Sequence, residues 1–282
     1  MSVILIIRLW RSREKVLRRF QRLFFPLHKM NQGGSLPASY KFFIINLKNG
    51  LYNVLERTLI PHSPDYYTTV QLNVSFNPDA DCPLFKKFLN ESMAGDSEQV
   101  TLIQEMLGYF LIPITAAQKC FVLVGEANAG KSILLRVINY ILIGAKYVSN
   151  VSWQALNERF KTAELFGKLA NIFADLPTKN IDDNGIFKAL VGEDTITVEK
   201  KHKDPFSFQS YARLLFSCNN IPKNYGDRSE GFYRRLIIIT YRNAVPSDKR
   251  DPHLLEKLQS EADGIFQFAL EGLRRQIGRA HV

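Results

Sequence analysis

The chain has 282 residues, of which 46% are hydrophobic and 23% charged, and a formal net charge of +10. That length holds one large domain or two modest ones around a proper core, and the composition is ordinary for a soluble globular protein. Its three cysteines, Cys82, Cys120 and Cys218, form no CxxC pair and no Cys/His cluster, which excludes a disulfide framework and a structural zinc and points to a reducing cytoplasm.

The positive charge is unevenly spread. Residues 1–30 carry eight Lys or Arg against the single acid Glu14, so net charge alone says little about a nucleic-acid-binding core. In this first segment, 1–37, Leu9, Val16, Phe20 and Leu23 follow helical spacing with arginines between them. Such a basic amphipathic stretch suits a membrane surface, nucleic acid or a neighbouring domain, and we favour packing on a neighbour. Gln32–Pro37 is a turn-rich linker. The apolar run Val3–Ile7 is too short to cross a bilayer, and its charges follow it rather than precede it, so no signal or transmembrane segment is expected.

Residues 38–116 open with a strand at Phe42–Leu47 and a hairpin signal at Asn49-Gly50. Two stretches nearly free of breakers, Leu84–Leu89 and Val100–Phe110, predict helices. The zone is expected to be a small, mostly helical domain. From residue 117 to 276 short apolar runs alternate with amphipathic ones, the pattern of an α/β domain with a parallel sheet. Strands are expected at Cys120–Val124, Leu169–Ala174, Arg213–Ser217 and Leu236–Thr240, and helices at Lys131–Leu142, Gly185–Val191 and His253–Arg275. Residues 277–282 look like the translation of a common sequencing-library adaptor, a reading we favour over a natural polar tail.

Phe121–Val124 leads directly into Gly125-Glu126-Ala127-Asn128-Ala129-Gly130-Lys131-Ser132, which fits GxxxxGK[ST], and an apolar helical face follows. The order matters physically. Backbone N–H groups of the loop cradle phosphates beside the positive end of a helix. Lys131 reaches the terminal phosphates of ATP and Ser132 offers its hydroxyl to Mg²⁺. A metal-side carboxylate is needed on a neighbouring strand, and the apolar run 169–174 ends in Asp175. A third apolar run ends at Asn219, an amide suited to positioning the attacking water or the γ-phosphate. Arg234 and Arg235, ahead of Leu236–Thr240, are either surface residues or an arginine finger reaching a neighbouring subunit. Thr195–Val198 alternates as a strand, Phe206 and Phe208 begin a return strand, and Lys200, Lys201, His202 and Lys203 crowd the turn between them. Such a tip is either a solvated hairpin or a phosphate-backbone contact.

In this order and spacing, the pieces resemble the superfamily three helicases, and more narrowly the phage and plasmid primase-helicase family. The resemblance spans about residues 41–243 and includes Asn46–Gly50, His62–Tyr66, Phe85–Leu89, Phe160, Leu165-Phe166-Gly167-Lys168, Asp175-Leu176-Pro177, Phe187–Leu190 and Gly231–Arg235. It implies an AAA+-like P-loop core assembled as a ring, a homo-hexamer, with ATP between subunits and single-stranded DNA in the channel. It also implies replication partners such as a primase and a bacterial host cytoplasm. By resemblance Gly125–Ser132 is the first nucleotide motif, Asp175 the second, Asn219 the sensor and Arg234 the finger, with Arg235 as the alternative. Lys201 and His202 at the hairpin tip would grip DNA. Ala174 stands where many relatives carry a second acid, which leaves the water-polarising group unassigned. The same departure keeps open a DNA-loading scaffold that binds ATP with little turnover.

Overall fold

The computed structural model describes residues 43–177, 181, 183–222, 229–246, 248 and 250–279. The basic segment expected at 1–37 lies outside these residues.

The described chain opens with an antiparallel meander of β1 (Ile44–Leu47), β2 (Gly50–Asn53) and β3 (Thr58–Ile60). The Asn49-Gly50 signal falls at the first turn, where Leu47 pairs with Gly50. His62 lies with Nε2 2.8 Å from the Leu47 carbonyl, so the matched phrase around it anchors the loop after β3. Helices α1 (Pro83–Ser92) and α2 (Ser97–Tyr109) follow. Pro83 stands at the start of α1, where a missing N–H costs nothing, and Asp96 caps α2 by accepting from the Glu98 and Gln99 amides. The first half of this zone is thus β-structure.

Strands β4 (Cys120–Gly125), β5 (Val148–Ser149), β6 (Ala170–Phe173), β9 (Arg213–Cys218) and β10 (Leu236–Tyr241) form a parallel sheet in the order β10-β4-β9-β6-β5. These are the expected apolar runs plus the short edge strand β5. Near-continuous hydrophobic strands are what a parallel sheet covered on both faces requires. On one face Phe121, Leu123 and Leu215 join a core that continues into α1, α2 and the meander. On the other Val122, Leu214 and Phe216 pack with Trp153, Phe187 and Phe232. Trp153 stacks on Phe187 and Phe216 at 4.5 and 5.1 Å between ring centroids.

The helix expected at Lys131–Leu142 has two parts, α3 (Lys131–Arg136) and a π-helical turn over Val137–Ile143. Its wider spiral, closed by Gly144 N–H donating to the Asn139 carbonyl, puts Val137, Ile138, Ile141, Leu142 and Ile143 all inside, more apolar side chains than one α-helical face holds. Helix α4 (Gly185–Gly192) precedes a separate hairpin of β7 (Thr195–Val198) and β8 (Phe206–Gln209). A single turn, α5 (Glu230–Tyr233), precedes β10.

The helix expected at His253–Arg275 is also divided, into α6 (Leu254–Gln259) and α7 (Ala262–Arg279). The break places Glu261 across the start of α1, where its two carboxylate oxygens accept from the Leu84 and Phe85 amides, both at 2.9 Å. These are orphan donors of a helix N-terminus. Helix α7 buries Ile265, Phe266, Ala269, Leu270 and Leu273, a helical stripe, and crosses α2 backbone to backbone. A Cβ on Gly272 would lie 2.1 Å from the Gln104 carbonyl, and one on Gly108 2.3 Å from the Leu273 nitrogen. Among the described residues no helix is long and apolar enough to cross a membrane.

Candidate nucleotide site and hairpin

The loop Gly125–Ser132 runs from the carboxyl end of β4 into α3, as the strand-loop-helix order requires. Gly125 ends β4 opposite Tyr241 of β10. A side chain there would meet the Tyr241 carbonyl at 2.3 Å, so only glycine lets the strand turn into the loop. Asn128 takes a left-handed backbone, φ 64°, and its carbonyl accepts from the Val245 amide at 3.1 Å. Asn243 in turn donates to the Glu91 carbonyl at the end of α1, at 2.9 Å. The segment after β10 therefore ties the phosphate loop to the helical module, an arrangement with no local sequence signal.

Lys131 is buried and folded over its own loop. Its ammonium donates to the carbonyls of Gly125 (2.5 Å) and Glu126 (2.7 Å) and to Asn219 Oδ1 (3.3 Å). Burial holds its pKa below the usual lysine value, while Cys218 and Asp175 pull the other way. Cys218, the last residue of β9, has its thiol pushed up to about 11 by burial, with Lys131 opposing.

Asp175 follows β6 in a left-handed conformation, φ 59°, which a short polar side chain tolerates. Its amide donates to Ser217 Oγ at 3.3 Å, and the Leu176 amide to the Ser217 carbonyl at 2.8 Å. These bonds lock the turn after β6 against β9. The sheet order places β9 between β4 and β6, so Asn219 stands between the loop and Asp175. Lys131, Asn219 and Asp175 thus converge at the carboxyl end of the sheet. Ser132, in the first turn of α3, and Asp175 are both exposed there and offer hard oxygen donors, a set that suits Mg²⁺.

Arg234 lies elsewhere. It precedes β10, whose first residue pairs with Cys120, whereas the loop begins at the far end of the same pair. Six strand residues at about 3.3 Å each put roughly 17–20 Å between the two ends, more than one arginine side chain spans. Its Nη1 donates to Gln118 Oε1 at 3.5 Å, and Lys119 Nζ donates to its carbonyl at 2.5 Å. Arg235 instead turns back to donate to the Gly231 carbonyl.

The hairpin carries Lys200, Lys201, His202 and Lys203 at an exposed tip. The Lys203 amide donates to the Lys200 carbonyl at 3.0 Å, and His202 takes a left-handed backbone, φ 59°. Lys200 lies 5.7 Å over the rings of both Phe166 and Phe206.

Comparison with known proteins finds likenesses over two parts of the chain and to the fold. Residues 40–93 match the family "D5 N terminal like", and residues 123–235 match a family of unknown function, DUF5906. The protein named "Putative helicase L207/L206" of Acanthamoeba polyphaga mimivirus is 23% identical over 209 residues, covering 71% of this chain and 22% of that protein. Two apo structures of the NrS-1 C-terminal region are 14% and 16% identical, each with a TM-score of 0.56. They cover 71% and 72% of this chain and 49% of those chains, so the chain spans about a fifth of the mimivirus protein and half of the solved region. By these likenesses the chain is similar in sequence to a putative helicase and shares its fold with the NrS-1 C-terminal region.

Proposed function

We propose that the chain is the motor portion of a DNA replication helicase, which hydrolyses ATP to translocate on single-stranded DNA. The observation that carries this reading is the convergence of Lys131, Asn219 and Asp175 at one end of the sheet, with the cationic hairpin and Arg234 away from it.

In this reading the loop amides and Lys131 bind the β- and γ-phosphates, and Lys131 exchanges its loop carbonyls for phosphate oxygens. Asn219, already beside Lys131, orients the attacking water or the γ-phosphate. A magnesium ion held by Ser132 and Asp175 would neutralise charge on the phosphates. Arg234 cannot reach the loop of its own chain, which supports a role as a finger in a neighbouring copy within a ring, a homo-hexamer by family resemblance. Lys201 and His202 then grip the DNA backbone, with Lys200 and Lys203 adding charge.

Hydrolysis of ATP with and without single-stranded DNA, on the protein and on Lys131→Ala, tests the reading. DNA-stimulated turnover that is lost in the variant is the expected result. Nucleotide binding with no turnover in an assembled ring would favour a DNA-loading scaffold, the reading that Ala174 in place of a second acid keeps open.

A further inference from the structure

Arg234 is set apart from the phosphate loop of its own chain, yet its side chain has a seat. Parallel pairing joins Cys120 of β4 to Leu236 of β10. The residues two positions ahead of each, Gln118 and Arg234, therefore lie abreast at the amino end of these strands. Gln118 is buried, at 8% exposure. It takes a left-handed backbone, φ 52°, which a residue with a Cβ holds only where its surroundings over-determine it.

The Gln118 backbone N–H donates to the Thr115 carbonyl at 2.8 Å, closing the turn ahead of β4. Its side-chain Nε2 donates to the Gly192 carbonyl at the end of α4, at 3.1 Å, and its Oε1 accepts from Arg234 Nη1 at 3.5 Å. The two ends of one amide thus have separate tasks. A carbonyl needs a donor and a guanidinium needs an acceptor, so the bond to Gly192 turns Oε1 towards Arg234. That helix end is itself anchored, because Gln209 of β8 donates to the Glu193 carbonyl at 2.7 Å. From the other side Lys119 holds the Arg234 carbonyl, and the Cys120 amide donates to the Arg235 carbonyl at 2.8 Å. The backbone of Arg234 is fixed while its guanidinium meets a neutral oxygen at long range, a weaker hold than the ion pair a carboxylate would form.

We propose that Gln118 is a positioning residue for ATP hydrolysis, which orients Arg234 for the nucleotide bound by a neighbouring copy. The inference rests on the finger reading of Arg234 given above. A seat of this kind aims the guanidinium without neutralising it, so the charge stays available to a phosphate. Gln118 stands at the opposite end of the β4–β10 pair from Gly125, so its loss leaves the phosphate loop of its own chain untouched. Its effect belongs to the finger side of an interface and not to the loop side.

Gln118→Met keeps the length of the side chain and removes both of its hydrogen bonds. Its nucleotide Kd, read with a fluorescent ATP analogue, should equal that of the parent protein. Its kcat should fall by roughly 10–100-fold, the effect of displacing a reacting group by about an ångström. Mixing with Lys131→Ala protein should then raise turnover above the sum of the two alone, because an intact loop on one chain meets a well-seated finger on its neighbour. A packing defect that damaged the loop of its own chain would gain nothing from that mixture. Gln118→Gly, which suits a left-handed backbone without strain, should show the same loss and the same rescue. Parent-like kcat in both variants overturns the proposal. So does a loss that Lys131→Ala fails to rescue under conditions where it rescues Arg234→Ala. If Arg234→Ala is not rescued either, the finger reading falls and the seat falls with it.

Discussion

Lys131 meets opposing demands. Burial disfavours its charge, yet two loop carbonyls and Asn219 accept from it, so the ammonium is prepositioned where phosphate oxygens would compete for it. Arg234 illustrates the opposite case, a cation set too far from that loop to serve it. Its reach gives a sharp test. Arg234→Ala protein should bind nucleotide but not hydrolyse it, and mixing it with Lys131→Ala protein should restore measurable turnover, because some interfaces would then pair an intact loop with an intact finger. Steady-state hydrolysis across mixing ratios reads this, and a flat line at zero would remove the finger from the mechanism. Arg213 is a buried cation of another kind. Its guanidinium donates to the Phe110 and Tyr211 carbonyls at 2.7 and 2.8 Å and lies 5.6 Å from the Tyr109 and Phe110 rings. Burial lowers its pKa to about 10, and the charge sits at the negative end of α2, where it offsets the helix dipole.

Among the elements, the crossing of α2 and α7 decides how the helical module is held. A glycine in a helix interior costs about 1 kcal/mol relative to alanine, so Gly272→Ala would stabilise a loosely packed helix. Here the added methyl would meet the Gln104 carbonyl, and overpacking of this sort costs about 1–3 kcal/mol. We expect a net loss of stability, read as a lower urea midpoint, and a higher midpoint would mean the helices do not touch as described. Elements were legible in the sequence where periodicity was local. The buried strands ending at Gly125, Cys218 and Tyr241 were evident from their apolar runs, as was the strand-loop-helix order that fixes Lys131. Less was visible where distant groups set the local structure. The break at Glu261 exists because its carboxylate serves α1, far away in the chain, and the π-helical turn answers to packing on two sides. Strand β5 is only two residues long, too short for any pattern. Phe166 was matched as part of a phrase, but its pairing with the hairpin rings depends on the strands that bring residues 166 and 206 together.

For the molecule as a whole, burial of all three thiols links stability to pH. Burial pushes Cys82 to about 12 and Cys218 to about 11, and Cys120 also well up, against a usual 9. An acid whose pKa is raised on folding binds more protons in the native than in the unfolded chain within that window. The thiol contribution is therefore intact below pH 9 and declines as pH rises from 9 towards 11. Urea midpoints at pH 8 and pH 10 should fall for the parent protein and fall less for Cys82→Ala with Cys218→Ala. An equal fall would assign the effect to other groups. The closure of α7 over α2 has a consequence for synthesis. Gln104 donates to the Phe268 carbonyl, and Glu261 to Asp263 cap or receive groups of the first module, across more than 150 positions of chain. On the ribosome, the amino-terminal module would wait with Ile103, Leu107 and Gly108 uncovered until the last helix emerged. Its folding is then tied to the synthesis of α7.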